Sequence, residues 1–151
     1  MQFTLLTALI LNAISRLNAQ DCSVFSPPPS PTAPVGGAAG GNAASSCIDF
    51  FLSDPDQGTI EASCDADDQS GRCPSAFIGA CVGVAQPSGN LKCQIEGGAG
   101  FNGTCTFSDR LQISGIHIIL TATCGNTQGG LTTSSIDLND CFANIDGVLT
   151  C

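Results

Sequence analysis

The chain has 151 residues with 10 Cys, 18 Gly, 8 Pro, 8 Phe, no Trp and no Tyr, and 4 Lys plus Arg against 13 Asp plus Glu give a formal charge of −9. That balance excludes nucleic acid as a partner, since binding a polyanion takes clustered Lys and Arg, and it excludes membrane attachment through a basic face. At 42% hydrophobic and 11% charged, the chain is too apolar to be wholly disordered.

Residues 1–19, MQFTLLTALILNAISRLNA, read as a secretory signal. Phe3 to Ile14 is an apolar run too short to span a bilayer, and Ala19 supplies the small residue of a cleavage site. The n-region has no basic side chain, a departure from the usual pattern. The expected mature chain is secreted and not inserted in a membrane. It keeps Arg72, Lys92 and Arg110 against thirteen acids, a charge of −10. Residues 20–42 form a tail: Ser26 to Gly41 holds five prolines and four glycines without apolar periodicity.

All ten cysteines follow the signal, at 22, 47, 64, 73, 81, 93, 105, 124, 141 and 151. An even count in a small secreted chain implies disulfides. Zinc would need tight Cys-x-x-Cys pairs or Cys/His knuckles, and the chain has neither. No metal and no cofactor is expected.

Cys47, Cys64, Cys81 and Cys93 recur as Cys105, Cys124, Cys141 and Cys151, at offsets of 58, 60, 60 and 58. Ile60-Glu61-Ala62-Ser63-Cys64 likewise recurs as Leu120-Thr121-Ala122-Thr123-Cys124. Residues 43–151 therefore read as two tandem repeats, 43–94 and 101–151, in one pseudo-twofold domain; a solenoid would need at least three.

The repeats read as all-β. Gly115 to Cys124 is rich in β-branched residues and opens on a glycine. In Ser135-Ile136-Asp137-Leu138-Asn139 the alternation places Ile136 and Leu138 on one face. Asn144-Ile145-Asp146-Gly147 suits a type I turn with Gly147 left-handed, closing a three-residue hairpin loop. That register pairs Asn144 with Val148 and, counting outward, Cys141 with Cys151. Opposed Cα atoms lie about 4.5–5.5 Å apart, within the range of about 4.4–6.8 Å that a disulfide spans. The same count through Gln86-Pro87-Ser88-Gly89 pairs Gln86 with Asn90, so Cys81–Cys93 needs a bulge or a longer loop.

The second repeat resembles the cyanovirin-N family of lectins. The motifs that carry the resemblance are Phe101-Asn102-Gly103-Thr104-Cys105, Leu120-Thr121-Ala122-Thr123-Cys124, Ile136-Asp137-Leu138-Asn139 and Asn144-Ile145-Asp146-Gly147-Val148-Leu149. The first repeat keeps Cys47, Ala62, Cys64, Gly89 and Leu91. It has Ala76-Phe77-Ile78-Gly79 and Gln86-Pro87-Ser88-Gly89 in place of the other motifs. The resemblance implies a three-stranded sheet plus a hairpin in each repeat, with the hairpins exchanged between halves, in a monomer or an exchanged dimer. It implies disulfides Cys47–Cys64 and Cys105–Cys124, leaving Cys22 and Cys73 for each other.

It also implies metal-free binding of mannose-rich glycans in two shallow pockets. Carried over by position, one pocket holds Ser45, Ser46, Asp65, Asp67, Asn144, Ile145 and Asp146. The other holds Asn102, Gly103, Thr104, Asn126, Thr127, Gln128, Gln86 and Ser88. Asn, Asp and Thr supply the donors and acceptors that sugar hydroxyls need. With Trp and Tyr absent, binding would rest on hydrogen bonds worth about 0.5–1.5 kcal/mol net each.

Several of these residues have structural roles open to them as well. Asn144 to Gly147 is a turn sequence in its own right. Asp137 and Asn139 suit a strand edge or a cap. Asp65, Asp67 and Asp68 form an acidic loop whose spacing is not that of an EF-hand. His117 sits alone in an apolar strand. Asn102-Gly103-Thr104 is an N-glycosylation sequon inside the second pocket. No Gly-x-Ser-x-Gly elbow occurs, and no carboxylate pair stands out for glycoside hydrolysis, so no enzyme is expected. The alternative to a lectin is a secreted, disulfide-stabilised interaction protein that kept the fold and lost sugar binding.

Overall fold

A computed structural model describes residues 41–54, 58–94, 101–108 and 110–151, without the side chain of Asn102. The expected signal, most of the tail and Cys22 lie outside the described residues.

Each repeat builds one sheet and one hairpin. In the first, β1 (Cys47–Asp54) pairs antiparallel with β2 (Thr59–Asp65), which also pairs with β3 (Gly71–Arg72) and β4 (Ser75–Phe77). The first hairpin is β5 (Val82–Ala85) with β6 (Asn90–Cys93). In the second repeat β7 (Cys105–Phe107) and β8 (Gln112–Ser114) flank one side of β9 (His117–Gly125), and β10 (Leu131–Asp137) flanks the other. The second hairpin is β11 (Ala143–Ile145) with β12 (Val148–Thr150). Each sheet is thus three strands with one of them broken. Cys73-Pro74 interrupts β3 and β4, as a proline without an N–H does in a ladder. In the second sheet Ser108, Arg110 and Leu111 fall between β7 and β8.

The period-2 pattern places the core. Along β9, Ile118, Leu120, Ala122 and Cys124 are buried while Ile119, Thr121 and Thr123 face outward. Phe101, Phe142, Ile60, Ile78, Leu138 and Val82 fill the centre. Phe101 stacks on Phe107 with centroids 5.3 Å apart. Leu138 reaches the core from a 3-10 turn (Leu138–Asp140) rather than from a continued strand.

Asp137 starts that turn. Its Oδ1 accepts the N–H groups of Ile118 at 2.9 Å and Asn139 at 3.0 Å. Its Oδ2 lies 2.6 Å from His117 Nδ1. Asp137 is therefore a cap and His117 its exposed clamp. Buried Asn139 then holds the start of the domain: its Oδ1 accepts from Ala44 N–H at 2.8 Å, and its backbone carbonyl accepts from Asn42 N–H at 2.5 Å.

The exchange of hairpins is present in both directions. Asn144 of the second hairpin donates to Ser46 Oγ at 2.9 Å and to the Asp65 carbonyl at 2.7 Å, both in the first repeat. Leu91 N–H of the first hairpin donates to Ser134 Oγ at 2.9 Å in the second.

Cys47 faces Cys64 across β1–β2, and Cys105 faces Cys124 across β7–β9; both pairs are bonded with Cα atoms 4.0 Å apart. The expected Cys141–Cys151 and Cys81–Cys93 bonds are overturned: Cys81 is bonded to Cys151 and Cys93 to Cys141. The cause is hairpin register. Asp146 and Gly147 both have positive φ, 50° and 75°, which makes a two-residue loop whose twist matches the strands. Ile145, not Asn144, pairs with Val148, and Ala143 pairs with Thr150. A one-residue slip turns side chains to the opposite face, so Cys141 and Cys151 do not meet. In the first hairpin Ala85, not Gln86, pairs with Asn90, and Val82 pairs with Cys93. There the Cys81 carbonyl accepts from Gln94 N–H at 2.8 Å, one position past Cys93. The repeat offsets carry one new bond onto the other, because Cys81 matches Cys141 and Cys151 matches Cys93. Cys73 is also disulfide-bonded; its expected partner, Cys22, lies outside the described residues.

Cleavage after Lys92, Glu96 and Arg110 and before Asp140 and Asp146 places Cys81, Cys93, Cys141 and Cys151 on four separate peptides. Non-reducing peptide mapping should then link Cys81 to Cys151 and Cys93 to Cys141; a Cys141–Cys151 peptide refutes the hairpin register. Replacing Cys81 and Cys151 together by Ser should cost about 2–5 kcal/mol in chemical unfolding. A second expectation concerns acid. Partial burial works to raise the Asp137 pKa, but the bonds from Ile118 N–H, His117 and Asn139 N–H outweigh it and hold the carboxyl below its ordinary value. A depressed folded value means that Asp137 contributes stability above the ordinary carboxylate range and loses it as pH falls through that folded value. Asp137→Ala should therefore lower stability by about 1 kcal/mol at pH 7, with the gap to the parent closing towards pH 3 in thermal melts.

Candidate functional site: two hairpin–loop grooves

Both hairpin tips meet the opposite repeat in the same way. The loop after β2 runs Ala66 to Ser70; the loop after β9 runs Asn126 to Gly130. In each, the first residue donates to the carbonyl of the fifth (Ala66 to Ser70 at 3.0 Å, Asn126 to Gly130 at 2.9 Å). The fourth residue has positive φ, Gln69 at 63° and Gly129 at 79°. The second residue of each loop then donates its N–H to a hairpin side chain. Asp67 N–H meets Asp146 Oδ1 at 3.0 Å, and Thr127 N–H meets Gln86 Oε1 at 3.0 Å. Gln86 thus does in the altered first hairpin what Asp146 does in the second.

Close backbone approach completes the likeness. Gly147 lies against Arg72, where a Cβ would come within 2.6 Å of Arg72 Cδ. Gly89 lies against Thr132, where a Cβ would come within 3.0 Å of its side chain. Thr132 Oγ1 also donates to the Ser88 carbonyl at 2.7 Å. Arg72 and Thr132 belong to the grooves, and motif reading missed both. The signal that finds them is the repeat offset of 60 residues between them.

The first groove brings together Ser46, Asp65, Asp67, Asn144 and Asp146, with Ile145 exposed at its edge. Ser45, exposed, bonds back to its own segment, its Oγ donating to the Asn42 carbonyl. Arg72 lies 3.7 Å from Asp68 and 3.9 Å from Asp146, in pairs exposed enough to add little stability. Bonds from the Ser70 hydroxyl and N–H lower the Asp68 pKa, and Arg72 adds to the effect. Asp146 serves both Asp67 and Arg72 with Oδ1, which leaves Oδ2 for a ligand. The groove therefore offers carboxylate acceptors, one guanidinium and an apolar edge.

The second groove brings together Gln86, Ser88, Asn126, Thr127 and Thr132, with Thr104 packed beside Gly125. Here the polar groups serve each other. Gln86 uses its carbonyl for Thr127 and its amide for the Gly125 carbonyl at 3.4 Å. Asn126 Oδ1 accepts from the N–H groups of Gln128 at 3.1 Å and Gly130 at 2.8 Å. Gly103 and Thr104 lie in the helical turn Phe101–Thr104; the Asn102 side chain falls outside the described residues.

Residues 44–150 match the model of the CVNH domain. Among solved structures, GzCVNH from Gibberella zeae is 20% identical, with a TM-score of 0.57 over 72% of this chain and 94% of that one. Microvirin in its mannobiose complex is 21% identical, with a TM-score of 0.56 over 72% and 96%. A variant of MoCVNH3 in complex with (N-GlcNAc)4 is 15% identical, with a TM-score of 0.55 over 76% and 100%. At these identities the structures speak for a shared fold, and the match across both repeats places this chain in the CVNH family.

Proposed function

We infer that this is a secreted, non-catalytic carbohydrate-binding protein whose two hairpin–loop grooves take mannose-rich glycans, as a monomer or an exchanged dimer. The observation that carries the reading is the repeated bond from loop N–H to hairpin tip, at 3.0 Å in each half. It presets a shallow polar groove twice, so little ordering is left to do on binding. Support comes also from the family, in which one relative is seen with mannobiose and another with (N-GlcNAc)4. The first groove is the stronger, since Asp146 keeps a carboxylate oxygen for the ligand while Gln86 spends both ends of its amide internally. One observation favours a protein partner instead: Ile145 and Val148 are paired at the second hairpin tip and exposed by 54% and 48%.

Asp146→Asn separates these readings better than Asp146→Ala, because Asp146 holds φ at 50° and Asn tolerates that region. The variant keeps the acceptor for Asp67 N–H and removes the charged acceptor. In titrations with an oligomannose glycan it should bind about tenfold more weakly or worse, with an unchanged melting temperature. Ser88→Ala should cost far less. No binding by the parent at millimolar glycan defeats the lectin reading in favour of a protein partner. A larger effect at Ser88 moves the stronger site to the other groove.

A further inference from the structure

The two sheets differ in the side chains on their outer faces. In the second sheet this face carries Thr106, Thr121, Thr123, Thr133 and Ser135, brought side by side by the pairing of β7, β9 and β10. Thr121 Oγ1 lies 2.8 Å from Ser135 Oγ, and Thr123 Oγ1 lies 2.8 Å from Thr133 Oγ1. Each hydroxyl pair uses one hydrogen and one lone pair, leaving one O–H and three lone pairs for a ligand. The row runs into a cleft of about 560 Å³ lined by Ser108, Arg110, Leu111, Gln112 and Thr121. That size lies within the range of small-molecule sites, about 300–1,000 Å³. Ser108 holds one edge of the cleft by donating from its N–H to the Thr121 carbonyl and from Oγ to the Arg110 carbonyl, both at 3.0 Å.

Threonine is favoured on any exposed strand, so the first sheet serves as the control. At the repeat-matched positions it has Ile48, Glu61, Ser63, Cys73 and Ser75 in place of Thr106, Thr121, Thr123, Thr133 and Ser135. Ser63 is buried there and Cys73 is disulfide-bonded. The fold therefore does not require the hydroxyl face. The geometry points to a third glycan site: the cleft holds one or two sugar units of a neutral chain, and the chain runs on over the hydroxyl pairs. Arg110 and Gln112 supply donors, Leu111 meets the C–H face of a ring, and the hydroxyl pairs give and accept along the strand direction. That the ligand is a glycan rests on the proposed function; the place of the site does not.

The test is amide-resolved NMR titration of the mature protein with an oligomannose glycan, read separately at Asp67 and Thr127 for the grooves and at Gln112, Thr121 and Ser135 for the cleft. Saturable shifts in the cleft set are expected, and they should persist in Asp146→Asn. Thr121→Val keeps shape and strand preference while removing the hydroxyl. Together with Arg110→Ala it should weaken the cleft shifts at least tenfold and leave the groove shifts in place. Groove shifts without cleft shifts overturn the third site alone. A silent cleft in a protein that also shows no groove shifts overturns both readings. Cleft shifts that survive the double variant unchanged overturn the assignment to these residues.

Discussion

The left-handed pair Asp146-Gly147 sets the register of the second hairpin, and much of the molecule depends on that register. With both residues at positive φ the loop is two residues long. Cys151 then faces Cys81 of the other repeat, and Cys141 is placed to meet Cys93. Gly147 can approach Arg72 only because it has no side chain. Asp146 adopts a backbone region that short polar residues tolerate, and Asp67 N–H together with Arg72 hold its carboxylate there. Local turn chemistry and a bond to the other repeat thus agree on one geometry.

The consequence is a domain stapled at its middle. Each hairpin base is tied to the other hairpin base, so neither half closes on its own chain segment. The outlying disulfides, Cys47–Cys64 and Cys105–Cys124, do something different: each joins the first strand of a sheet to its neighbour beside the segment that enters a groove. Core burial and crosslinks act together, since Cys47, Cys64, Cys81, Cys141 and Cys151 are buried in the same cluster as the phenylalanines and aliphatics.

The grooves show how a pseudo-symmetric frame tolerates divergence. Asp146 and Gln86 differ in charge and length, yet each offers a carbonyl-type oxygen to the same loop N–H. Around that shared bond the first groove has Asp65, Asp67 and Asp68 where the second has Gly125, Thr127 and Gln128. Backbone geometry is kept while the surface offered to a ligand changes from acidic to neutral. The outer faces diverge in the same manner, one carrying hydroxyls and the other a bonded cysteine.

Much of this was legible in the sequence. The cysteine offsets reveal two repeats, β-branched content marks β9 as a strand, and the motifs of the second repeat lead to the family, the exchange and the grooves. The sequence left Asp137 as a strand edge or a cap, and the structure makes it the cap. What the sequence could not decide is which symmetric set of bonds joins Cys81, Cys93, Cys141 and Cys151. Pairing within each repeat and pairing between repeats satisfy the same offsets, and the choice turns on a one-residue register. Nor do the motifs reveal Arg72 or Thr132, which matter through contact with glycines 75 and 43 residues away. Composition and periodicity determine which residues are buried and which segments are strands, because those are local consequences of side-chain chemistry. The crosslinks and groove partners were decided only in the tertiary structure, because hairpin exchange brings together residues from opposite repeats and no local pattern records which of them meet.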